Sequence, residues 1–123
     1  MKHFYTGLFA VLAIGLLGAS SLTPPDPSDL MKKKTEHAQS ILKALALADL
    51  SIVKKEAEAI EKLTVEAGFA NTSEKYADYG REFLRIIREL IKEAENKNMA
   101  GSYYQFTRMT SVCFSCHEHL RTK

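Results

Sequence analysis

Between Leu30 and Ala48, residues Met31, Thr35, Ala38, Leu42 and Leu45 follow one another in alternating steps of four and three, and Leu30, Ile41 and Ala48 widen the stripe. Such steps keep side chains on one face of a helix, and no run in the chain alternates as a strand must. The pattern recurs three more times. In the second segment Ile52, Val53, Ala57, Ile60, Leu63 and Thr64 face one way, while Lys54, Lys55, Glu58, Glu61 and Lys62 face the other. The third has Tyr76, Phe83, Ile87, Leu90 and Ala94 inside, with Gly80 where a backbone or a flat ligand can come close. The fourth turns Tyr103, Phe106, Met109, Thr110, Cys113, His117 and Leu120 inward.

Helix boundaries are equally readable. Asp26 before Pro27 is a helix start, Asp49 or Ser51 can cap the second helix, Gly68 ends it, and Thr72 or Ser73 can cap the third after the loop FANTSEK. Asn96 to Asn98 separates the last two helices. Four amphipathic helices with short connections predict an all-α, antiparallel up-down four-helix bundle.

The first 21 residues read differently. MKHFYTGLFAVLAIGLLGASS has a short basic start, an uncharged apolar run and small residues suited to cleavage, the pattern of a secretory signal peptide. The run is shorter than the roughly 20 apolar residues of a spanning helix, so the membrane is a partner only if the segment stays uncleaved. No cysteine ends the run, which argues against a lipid anchor. Residues 22–28 form a proline-rich lead-in, and residues 29–123 form the helical domain. The expected location is therefore periplasmic. Without the leader, Lys and Arg nearly balance Asp and Glu and are interspersed with them, which argues against nucleic acid as a partner. Lys32 to Lys34 form a solvated helix face, with Lys34 nearest the inner stripe.

The only two cysteines of the chain stand in VCFSCHEHLR, Val112 to Arg121. On a helix turning about 100° per residue, Cys113 and Cys116 lie one turn apart on one side, and His117 falls within about 40° of Cys113. Two thiols and an imidazole on one face are what covalent haem attachment needs: the thiols reach two vinyl groups along one edge of the macrocycle, and the imidazole binds the iron. A redox dithiol would start a helix after a strand. A zinc site built on Cys113, Cys116 and His119 lacks a fourth ligand. A disulfide across one helical turn has poor geometry and closes almost no loop.

The motif at the end of the last helix, the bundle pattern and the leader together resemble the class II c-type cytochromes, the cytochrome c-prime family and its low-spin relatives. The resemblance runs from about Asp29 onward. Members usually continue the motif as C-x-x-C-H-x-x-aromatic-Arg; here Leu120 replaces the aromatic and Arg121 is kept. The resemblance implies one covalent haem c and its iron, Cys113 and Cys116 as attachment points, His117 as axial ligand, and Arg121 near that histidine. It puts Met31 where low-spin members have a sixth ligand and high-spin members have an apolar residue beside an open site. On a helix rotated by one position, Leu30 would take that place. His37 is a rival ligand nearer the stripe's boundary.

Among the other residues, Met109 is expected against the haem edge. Tyr76, Phe83, Tyr103 and Phe106 are expected in its apolar wall, Lys34 within reach of a propionate, and His119 in solvent. The expected function is electron transfer with redox partner proteins, without catalysis. The alternative is binding of small gases, nitric oxide or carbon monoxide, at an open sixth site. Members of the family often dimerise through their first two helices, so a homodimer is a further expectation.

Overall fold

The computed structural model describes residues 26–69 and 72–122, so the leader lies outside the described residues. Within them the chain forms four α-helices and no strand: α1 (Pro27–Ala46), α2 (Leu50–Ala67), α3 (Glu74–Glu95) and α4 (Met99–Arg121). Each start is fixed by a side chain that accepts a backbone N–H left over at the helix end. Asp26 accepts from Ser28 at 2.9 Å, Asp49 from Ser51 at 3.1 Å and Ile52 at 3.2 Å, Ser73 from Tyr76 at 3.2 Å, and Asn98 from Gly101 at 3.0 Å. Of the alternatives in the sequence, Asp49 and Ser73 are therefore the caps. Ser73→Ala is expected to cost about 1 kcal/mol, a fall of roughly 4–8 °C in thermal midpoint for a domain of this size, measurable by circular dichroism.

Two turns share one design. Ala48 and Lys97 both adopt φ of +56°, and the next residue, Asp49 or Asn98, donates its N–H back to Ala44 or Glu93 at 2.9 Å before capping the following helix. One left-handed residue thus closes one helix and starts the next. Ala48, expected on the inner stripe, is exposed in this turn. Gly68, at φ +61°, ends α2 as its sequence position predicted.

Such short connections make consecutive helices antiparallel, and α4 returns beside α1 to close a four-helix bundle. Of the four neighbouring pairs, α1 and α4 pack least closely. The start of α1, the end of α2, the start of α3 and the end of α4 share one end of the bundle. The core fills the other half: Ile41 and Ala44 from α1, Val53, Ala57 and Ile60 from α2, Ile86, Ile87 and Leu90 from α3, and Phe106 and Met109 from α4.

Several predicted faces are rotated. On α1 the buried residues are Leu30 and Ile41, both expected on the flank of the stripe, and Ala44, so the buried line lies roughly a quarter-turn from the stripe's centre, and Leu42 is 56 % exposed. The cause is that α1 packs mainly on α2, so the face toward α4 stays open. Ile52 is likewise outside the core. On α4 the buried face centres on Ser102, Phe106 and Met109 because α3 is its closest neighbour; Tyr103 and Thr110 lie about 80–100° round from Ser102, and both are exposed, Tyr103 at 62 %. Leu120 falls on the inner side by angle, but it sits in the last turn and is exposed. Ile86, absent from the predicted face of α3, is fully buried.

Candidate functional site: an apolar cavity between α1 and α4

The loose α1–α4 seam leaves a cavity of about 260 Å³, open on one side, in the half of the bundle that the core does not fill. Ile60, Phe83 and Met109 form its floor and belong to the core as well. One wall is α4, where Cys113, Cys116 and His117 all line the cavity. Facing them from α1 are Met31, Lys34 and Ala38. Tyr76, Tyr79 and Phe69 complete the enclosure. The predicted trio thus shares one space with Met31 across from it.

Both thiols are free and half-buried. Burial pushes each above the ordinary range for a thiol, with the Lys34 ammonium as the opposing influence, so at neutral pH both are protonated. His117 lines the cavity and is exposed overall. Lys34 holds its Nζ 4.2 Å from the centre of the Phe83 ring, a cation over an aromatic face. Desolvation lowers its pKa, and the Cys113 and Cys116 sulfurs act in the opposite direction only when ionised. Burial also raises the pKa of Tyr76. Among the described residues no three His, Cys, Asp or Glu converge on a metal-binding geometry. The set Cys113, Cys116 and His119 is therefore not gathered as a zinc site.

Gly80 meets a close approach from a partner that the sequence left unnamed. A Cβ there would lie 2.1 Å from the Phe69 ring, which also contacts Tyr76 edge-on at 6.5 Å between centroids. Phe69 belongs to the α2–α3 connection, and helical periodicity carries no signal for such a position. Tyr79, three residues after Tyr76 and four before Phe83, lies on the same helical face and is legible by the same periodicity.

Other expected neighbours fall elsewhere. Phe106 is buried in the core and does not line the cavity, and exposed Tyr103 is no part of its wall. Leu30 is buried but also does not line it, which leaves Met31 as the α1 residue facing the trio. His37 is engaged on the α1–α2 side, its Nδ1 2.6 Å from a Glu56 carboxylate oxygen. Arg121 is exposed in the last turn of α4 and does not line the cavity.

His119, expected in solvent, is half-buried. Its ring lies 6.0 Å from that of Tyr79 and its Nε2 is buried without a hydrogen-bond partner among the described residues. The angle to His117 is large, but the angle to Cys116 is only about 60°, and the Cys116 side of α4 is the one turned toward α3. No helix among the described residues is long and apolar enough to cross a membrane. Compared with protein-family models, with curated proteins and with solved structures, the chain matches none of them.

Proposed function

We propose that the protein is an exported mono-haem c-type cytochrome that carries electrons, with haem bound through Cys113 and Cys116 and with His117 as an axial iron ligand. The observation that carries this reading is the convergence of two free thiols and an imidazole on one apolar cavity with a methionine opposite. The residues fit the group. A flat, largely apolar macrocycle suits a slot bounded by Phe83, Tyr76, Ile60 and Met109, and its outer edge would occupy the open side.

When bound, haem supplies a one-electron couple between ferrous and ferric iron. The chain does the rest. The two thiols on consecutive turns of α4 would hold one edge of the macrocycle against the helix. The apolar floor excludes water and so disfavours the more highly charged oxidised form. Met31, on a separate helix, would supply a thioether whose ligation favours the reduced state.

The test is a haem stain on a denaturing gel of exported protein, followed by the visible spectrum of the reduced form. Covalent colour with sharp, low-spin α and β bands supports the electron carrier with Met31 ligated. Covalent colour with a broad, high-spin spectrum transfers the assignment to the gas-binding alternative, in which nitric oxide or carbon monoxide occupies the position beside Met31. In the first case Met31→Ala is expected to convert the spectrum from low-spin to high-spin with the covalent stain unchanged. An unaltered spin state would remove Met31 as a ligand.

A further inference from the structure

The cavity contains one charge without a counter-charge. Lys34 projects into an apolar space over the Phe83 ring and, among the described residues, has no carboxylate within salt-bridge reach, whereas Lys54 pairs with Glu95, Arg85 with Glu82 and Arg88 with Glu61. Residues 1–25, 70, 71 and 123 contain no Asp or Glu side chain that could supply one. The Phe83 ring and the Cys113 and Cys116 side chains lie around Lys34, and none of the residues that line the cavity is an Asp or a Glu. An ammonium drawn out of water without a partner is costly, and a lysine stem is long enough to carry its head back to solvent if nothing held it.

We infer that Lys34 is the anion-receiving group of the cavity, and that its ammonium forms an ion pair with a carboxylate carried by the apolar molecule that fills the space. On the proposed haem reading, on which this inference rests for its choice of occupant, the carboxylate is a propionate of the macrocycle. The pairing sets which way the macrocycle enters: thioether edge toward α4, one acidic arm toward α1. Lys34 acts as a positioning residue and takes no part in electron transfer itself.

The test uses the full chain made without haem attachment, titrated with metal-free protoporphyrin and with its dimethyl ester and read by fluorescence. Without iron, His117 and Met31 contribute no ligation, and the two probes differ only in their acidic groups. The free acid is expected to bind roughly ten- to a hundredfold more tightly than the ester. Lys34→Met should abolish that preference, and Lys34→Arg should keep it. Thermal unfolding of the haem-free chain is a second readout: if Lys34 only braced Phe83, Lys34→Met would lower the midpoint, whereas an unpaired cation awaiting an anion predicts an unchanged or higher one.

Equal binding of acid and ester by the unmodified chain, or a preference that persists in Lys34→Met, overturns the inference and leaves the haem reading intact. If neither porphyrin binds, the same titration with a fluorescent fatty acid decides. Lys34-dependent binding then supports the anion site, no binding overturns the inference, and the covalent haem stain decides the haem reading separately.

Discussion

Exported protein in which Cys113 and Cys116 are both replaced by serine is expected to lose all haem stain on a denaturing gel, and each single replacement is expected to leave a weakened stain with a shifted absorption maximum. A thioether survives boiling in detergent, whereas axial coordination and apolar packing do not. The double variant therefore separates covalent attachment from simple occupancy. A serine hydroxyl is close in size to a thiol and sits at the same two half-buried positions one turn apart on α4, so the helix itself should persist. The two singles add a second constraint, since each keeps one sulfur to form one bond and leaves one vinyl group unreacted, which shifts the spectrum. A stain of undiminished strength in the double variant would show that the colour is held in some other way, and the cytochrome assignment would fall. So would colourless protein from the unmodified, exported chain.

The largest effect on stability is expected at Leu90. It is fully buried in α3, within the densely packed half of the bundle among Ile87, Ile86 and Ala94. Leu90→Ala removes buried methyl groups and leaves a hole that the surrounding helices only partly close, a loss of roughly 2–5 kcal/mol. Set against the 5–15 kcal/mol typical of a whole domain, that is a large share of the total. Chemical denaturation of the haem-free chain, variant beside parent, measures it. The denaturant midpoint should drop sharply while the slope changes little, because the surface exposed on unfolding is nearly the same. A midpoint within experimental scatter of the parent would mean that the packed half of the bundle is not where its stability resides. The contrast with Met31 is useful here: it borders the cavity and not the packed half, so Met31→Ala should move the spectrum far more than the denaturation midpoint.

The two turns show how local signals fix local structure. Asp49 and Asn98 each follow a left-handed residue and accept backbone N–H groups of the helix they begin. Short-range chemistry of this kind needs nothing from the rest of the fold, which is why caps, breaks and helix count are readable from the residues alone. Faces are another matter. A stripe such as Met31, Thr35, Ala38, Leu42 and Leu45 says that a helix has an apolar side, but its angular centre depends on which neighbour packs most tightly. Here α2 takes α1 and α3 takes α4, so Leu42 and Tyr103 end in solvent while Ala44 and Ser102 are buried.

The same distinction separates the parts of the candidate site. The residues themselves determined that Cys113, Cys116 and His117 share one face of the last helix, because three positions within five residues have a fixed angular relation on any α-helix. Only the tertiary structure decided that this face opens on a cavity, that Met31 rather than Leu30 stands across it, that Phe69 rests on Gly80, and that Lys34 has no carboxylate beside it among the described residues. Those facts arise from how loosely two helices distant in the chain approach one another. That spacing is set by the sum of all side chains between them and by no single stretch of residues.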